Sequence, residues 1–433
     1  MHPSLVTSLF VTFILASMLT RLWLDSRQAR HVARHRGAVP ETFAHEVPLH
    51  SHQRAADYTL DKLRFGTLSN LVGAAMLLGW TLLGGLDALN NALREALLPR
   101  VGPLGYQLGL LGAFSVIGAL VEWPLAAYST FRIEQRHGFN RMGWRLWVID
   151  QLKQSLLGLL IGAPIAALIL WLMGAAGPAW WLWAWGAWVA FSLVLMVVFP
   201  IFIAPLFNKF EPLADTHLAE RVQALMARCG FQAQGLFVMD GSRRSAHANA
   251  YFTGLGAAKR VVFFDTLLKR LTHGEVEAVL AHELGHFKHK HVLKRMLLVF
   301  AMSLGGFALL GWLTHQTGFY LGLGVRPNLN APNDALALLL MLLALPPVMF
   351  FVAPVMSAFS RKDEHEADAY ACAQASGADL ARALIKLYKD NSSTLTPDPL
   401  YVRFHYSHPP ATERLAAMLA LPSGTGHAAP ATP

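Results

Sequence analysis

The residues best equipped for chemistry are His282, Glu283 and His286, an HExxH pattern within Ala281-His282-Glu283-Leu284-Gly285-His286-Phe287. Such a pattern has meaning only on a helix. Thr272 and Glu275 have the spacing of a capping box, Val276, Val279, Leu280 and Leu284 follow at helical spacing, and no proline interrupts 272–293. On that helix two histidines four apart project from one face, so both imidazoles can reach a single Zn²⁺ at about 2 Å. Glu283 is rotated by about 100° and can reach the open side of the metal, where a bound water would sit. Two ligands and one general base are the parts of a metal-assisted hydrolase.

A catalytic zinc takes a third protein ligand. The stretch Ser360-Arg361-Lys362-Asp363-Glu364-His365-Glu366-Ala367-Asp368-Ala369-Tyr370 reads as a second helix. Glu364 and Asp368, four apart, share a face, so one can coordinate metal while the other accepts a hydrogen bond from a ligand histidine. Glu366 lies about 200° round the helix and is expected to be solvated. His289 falls near the His282/His286 face but about 10 Å along the axis from His282, and His291 is expected to point away. Neither is expected to join that zinc.

The elements that position these residues are set by an apolar chain. Of 433 residues 54% are hydrophobic and 15% charged, against about 25% charged in ordinary soluble domains, and the mean hydropathy is +0.38. Stretches free of Asp, Glu, Lys and Arg run over 1–20, 65–86, 101–121, 154–208, 296–325 and 335–360. The fourth is long enough for two spans, with a turn at Gly174-Ala175-Ala176-Gly177-Pro178 and Trp180, Trp181, Trp183 and Trp185 beside it at a membrane surface. Seven spanning helices are therefore expected. Arg21, Arg27, Arg30, Arg34 and Arg36 follow the first span and Arg132, Arg136, Arg141, Arg145 and Lys153 fill 128–153, whereas Arg94, Arg100 and Arg326 lie in the loops opposite. That bias predicts an N-terminus outside and the polar segments 207–293 and 361 onward in the cytoplasm. The net charge of +9 is thus topological, and nucleic-acid binding is not expected.

The first apolar run has its charge after it rather than before it, and reads as a retained span instead of a signal peptide. Glu122 lies in or beside the third span, facing a cavity or the cytoplasmic interface. Cys229 and Cys372 make no disulfide framework. Residues 235–240 and 260–265 read as short strands. The expected organisation is five spans over 1–206, a catalytic region over 207–293, two spans over 294–360, a further cytoplasmic region over 361–420 and a disordered tail over 421–433.

Beyond HExxH, several distributed motifs resemble the seven-span CAAX prenyl proteases of type 1, membrane zinc metalloendopeptidases of the gluzincin kind. They are Pro124-x-x-x-Tyr128-Ser129-Thr130-Phe131, His137-Gly138-Phe139-Asn140, Ser245-x-His247-x-Asn249-Ala250-Tyr251-Phe252-x-Gly254, Glu364-x-x-Ala367-Asp368 and His405-Tyr406-Ser407-His408-Pro409-Pro410 with Glu413-Arg414-Leu415. They run in family order over about 120–416. The resemblance implies a mainly α polytopic membrane protein, with seven helices round an intramembrane chamber and a cytoplasmic zincin-like region bearing a small β element. It implies that His282, His286 and Glu364 bind one Zn²⁺, that Glu283 activates water, and that Asp368 backs a ligand from the second shell. It also implies that Asn249 lies on a substrate-binding edge strand and that His408 and Arg414 stabilise the oxyanion.

The implied substrate is a peptide or protein, lipidated or not, reached from the membrane lipid, and the implied setting is a bacterial inner membrane. Two other readings compete. One is a membrane-protein quality-control metalloprotease of the heat-shock type. The other is a seven-helix receptor or transporter with a vestigial zinc site, which the nearly charge-free spans disfavour.

Overall fold

The structure is a computed structural model whose described residues are 1–231, 235–253 and 260–420. The expected tail, 421–433, lies outside them. Apolar runs with no water to satisfy their backbone must close their hydrogen bonds internally, and these runs are helices. Five are long and apolar enough to cross a membrane, within Pro3–His35, Gly85–Glu134, Trp144–Ala175, Gly177–Leu206 and His291–Leu313. A sixth candidate is Asp334–Met349 followed by Ala353–Gln374, bent by 64° at the break. Prolines flank the bend: Pro346 and Pro347 lie inside the first helix and Pro354 in the first turn of the second, none of them supplying an N–H to the helix.

Among the described residues, five helices, or six with the bent pair, are thus candidates for the seven spans expected. The span expected at 65–86 lies on Leu49–Trp80, whose first half is polar and which stops short at Trp80. The span expected at 296–325 ends at Leu313, and Thr317–Gly322 forms a separate short helix. The turn expected near Gly174–Pro178 is present, with one helix ending at Ala175 and the next starting at Trp180. Glu122 lies in the helix Gly85–Tyr128, which is kinked at Gly102.

The polar part is built on a four-stranded sheet: β1 (Phe210–Pro212), β2 (Leu236–Met239), β3 (Ala250–Thr253) and β4 (Arg260–Phe264), in the order β1-β2-β4-β3. β2 and β4 run parallel, while β3 pairs antiparallel with β4 and is left at the edge of the sheet. Against it packs the HExxH helix, His273–Lys288, whose start carries the full capping box: Thr272 N–H donates to Glu275 Oε2 at 2.7 Å and Glu275 N–H to Thr272 Oγ1 at 3.4 Å. Val276, Leu280 and Leu284 are buried in one cluster with Val261, Phe263, Leu380 and Leu384. Each such side chain contributes about 1.5–3 kcal/mol on burial.

The helix Ala353–Gln374 crosses the HExxH helix closely. A Cβ at Gly285 would lie 2.9 Å from Ala367 Cα and 3.1 Å from its carbonyl oxygen, so only a glycine lets the two backbones approach this far. We therefore expect Gly285→Ala to destabilise the protein by about 1–3 kcal/mol through overpacking. Gly305→Ala, where nothing lies within 4 Å, should be nearly neutral. Thermal unfolding of the two variants in detergent checks the contrast.

Candidate metal centre

The HExxH helix presents His282 and His286 to the carboxylate of Glu364 on the helix that crosses it. His282 Nε2 and His286 Nε2 lie 3.3 Å apart. His282 Nε2 is 3.5 Å from Glu364 Oε2 and His286 Nε2 is 3.4 Å from Glu364 Oε1. These separations match the edge of a tetrahedron with bonds of about 2.0–2.1 Å, which is about 3.3–3.4 Å. Glu364 Oε2 is buried with no hydrogen bond, facing only His282 and Arg414 at 3.5 Å each, so it has room to accept from a cation. The donor set of two imidazoles and one carboxylate therefore fits a divalent metal such as zinc.

The ring of His282 is oriented from behind. Asp368 Oδ1 stands 2.8 Å from its Nδ1, so Nδ1 carries the proton and Nε2 faces Glu364. Asp368 is in turn held by Arg414, whose Nε and Nη2 donate to its two oxygens at 2.8 and 2.6 Å. Burial disfavours charge on His282, but its hydrogen bonds to Asp368 and Glu364 outweigh that and lift its pKa to about 9. His286 is backed differently. Its Nδ1 lies 3.0 Å from Nδ1 of His291, a fully buried residue at the start of the next spanning helix.

One expectation about this face is corrected. His291 does not point away, because the chain turns sharply at Lys290 and brings the new helix back beside His286. Glu366, a third exposed, also accepts from His291 Nε2 at 3.1 Å. Helical-wheel angles place residues round one helix; neither contact lies on one helix. The second partner of the HExxH pair was thus missed, and the only signal for it was an extra histidine five residues beyond His286.

The remaining expected residues converge on one cavity of about 930 Å³, lined among others by Asn249, Glu283, His408 and Arg414. Burial is the largest influence on Glu283 and raises its carboxyl pKa, as suits a proton acceptor working near neutrality. His408, 61% exposed, holds Nε2 at 3.2 Å from Glu364 Oε1. The hydroxyl of Ser407 lies 3.0 Å from its Nδ1 and can donate there, which leaves the proton on Nε2. Arg414 is buried, and with two nitrogens committed to Asp368 it keeps Nη1 towards Glu364, at 3.5 Å. Asn249 precedes β3, and its backbone carbonyl accepts from Phe264 N–H at 3.1 Å.

Comparison with known proteins identifies the family. Residues 28–209 match the family described as CAAX prenyl protease N-terminal, five membrane helices, and residues 212–421 match peptidase family M48. The chain is 33% identical over 420 residues to a CAAX prenyl protease 1 homolog of Arabidopsis thaliana, covering 94% of this chain and 96% of the relative. It is 33% identical over 438 residues to CAAX prenyl protease 1 of Saccharomyces cerevisiae, covering 96% of each. The crystal structure of S. mikatae Ste24p superposes with a TM-score of 0.88 at 31% identity, covering 96% of this chain and 99% of that one. Full-length likeness in sequence and fold, on a metal-fitting cluster at the end of a membrane bundle, makes this multi-pass chain a member of the CAAX prenyl protease 1 family of M48 metalloendopeptidases.

Proposed function

We propose that this protein is a zinc-dependent endopeptidase that removes the C-terminal tripeptide from prenylated proteins at the cytoplasmic face of its membrane. The observation that carries the proposal is the triangle of His282, His286 and Glu364 donor atoms, opening into a cavity that Asn249 and Ala250 line beside an edge strand. An extended peptide can add to such an edge by main-chain hydrogen bonds, with its scissile bond carried over the cluster. His282, His286 and Glu364 would hold Zn²⁺, which when bound would supply Lewis-acid polarisation of the scissile carbonyl and a water of pKa lowered towards about 7.

The chain's own residues do the rest. Glu283 takes the proton from the attacking water and passes it to the leaving amine, and its burial keeps that carboxyl ready for both steps. His408 directs its Nε2–H at the developing oxyanion. Arg414 adds positive charge beside the developing oxyanion and holds Asp368, which fixes His282 with Nε2 forward. Asn249 sets the start of the edge strand against which the substrate lies.

The cavity also explains how a lipid-bearing substrate is accommodated. Beyond the cluster it is lined by Trp188 and Met196 from one spanning helix and by Met296, Val299 and Phe300 from another. A prenyl chain covered by these apolar side chains would gain about 0.8 kcal/mol for each CH₂ it buries. Basic residues at 128–153 support a cytoplasmic site with the N-terminus outside.

Three outcomes are expected. Glu283→Gln should retain metal and lose at least about 10²-fold in turnover, whereas His282→Ala should lose both, read by metal analysis beside peptide cleavage; an active glutamine variant would sink the assignment. Because metal must displace the proton from His282, with its pKa near 9, apparent zinc affinity should rise with pH over 6.5–8.5 in competition with a chelator. Mass spectrometry of farnesylated and unmodified peptides of one CAAX sequence should show a single cut three residues from the end, favouring the lipidated peptide. Scattered Glu283-dependent cuts in both peptides would replace CAAX processing with general membrane-protein turnover.

A further inference from the structure

A second histidine–carboxylate cluster lies beside the first and has no part in the reaction above. Where the HExxH helix ends, Lys290 adopts a left-handed conformation, with φ 57° and ψ 32°, unusual for a residue other than glycine. Its effect is to set His289 and His291 side by side, their rings stacked with centroids 5.5 Å apart and planes 15° from parallel. Both face Glu366. The ligand atoms of these three residues all lie within 4.8 Å of one another.

Glu366 Oε2 is 3.1 Å from His291 Nε2 and 3.9 Å from His289 Nδ1, and Asp363 Oδ1 stands 3.5 Å from His291 Nε2. Each carboxylate turns its other oxygen to a basic side chain: Glu366 Oε1 to Lys362 at 3.8 Å, and Asp363 Oδ2 to Arg295 at 3.6 Å. Two imidazoles and the Glu366 carboxylate thus face one another at 3.1–3.9 Å, against a tetrahedral edge of about 3.3–3.4 Å, with Asp363 beside His291 alone. That donor set suits Zn²⁺ and related divalent ions. His291 is almost fully enclosed, at 2% exposure, while His289 and Glu366 are 40% and 33% exposed, which leaves an entry path.

We propose that His289, His291 and Glu366 form a second divalent-cation site, antagonistic to the catalytic one, with Asp363 adding negative charge beside His291. The antagonism follows from the tautomers of the two touching rings. With Nε2 of His286 given to the catalytic metal, its Nδ1 bears the proton, and Nδ1 of His291 at 3.0 Å must accept it. His291 then carries its own proton on Nε2 and donates to Glu366. A cation in the second cluster takes that Nε2 lone pair. The proton on His291 shifts to Nδ1, none is gained or lost, and two N–H groups now confront each other at His286. Filling the second site therefore loosens the first, and excess metal inhibits the enzyme.

The test uses the full-length protein without a histidine tag, in detergent, dialysed against graded Zn²⁺. Wild type should bind two equivalents, the second more weakly. His289→Ala and Glu366→Ala should each lose the second equivalent and keep the first. In the peptide assay His289→Ala should match wild type at one equivalent of zinc and resist the inhibition that excess zinc causes in wild type. A single equivalent in wild type, or a second one retained by both variants, overturns the site. Loss of the second equivalent with undiminished inhibition overturns the antagonism and leaves the site. The dialysis needs no substrate, so its outcome is independent of the proteolytic reading.

Discussion

The site depends on the close crossing of two helices at Gly285 and Ala367. At this crossing a missing side chain brings the backbones together, and Glu364, one turn before Ala367, reaches both histidines of the HExxH helix. Asp368, next along, meets the rear of His282 at 2.8 Å. A crossing wider by one methyl group would leave the carboxylate short of one imidazole or the other. The capping box at Thr272 and the apolar row of Val276, Leu280 and Leu284 serve the same end, fixing where the HExxH helix starts and which face it buries.

The two histidines are backed by unlike partners. His282 rests on a carboxylate anchored by a buried arginine, whereas His286 rests on another imidazole whose far nitrogen meets Glu366. A carboxylate accepts one proton geometry only, so His282 has a single working tautomer. An imidazole can accept or donate at the nitrogen it presents. The His286 side is thus the one at which events outside the metal cluster can be felt inside it.

Membrane and chemistry are joined by a single turn. The HExxH helix ends at Lys288 and the spanning helix begins at His291, so the metal-fitting cluster sits at the mouth of the bundle. Hydrophobic side chains from two spanning helices continue the same cavity. The metal-fitting residues and these hydrophobic side chains thus line one space.

The sequence by itself determined the local elements and the residue types. Capping chemistry and spacing of 3.6 residues are short-range, so the HExxH helix, its start at Thr272, the Gly174–Pro178 turn and the pairing of Glu364 with Asp368 could all be read from it. The membrane character and the family-like order of motifs were legible for the same reason. Only the tertiary structure decided the contacts made between elements: the approach at Gly285, the salt bridge of Arg414 with Asp368, and the return of His291 to His286 through the Lys290 turn. It also showed where apolar runs break: one helix stops at Trp80, and a bend of 64° separates Asp334–Met349 from Ala353–Gln374. Helical periodicity reports which side of one element a residue occupies, whereas the element it meets depends on packing between segments far apart in the chain.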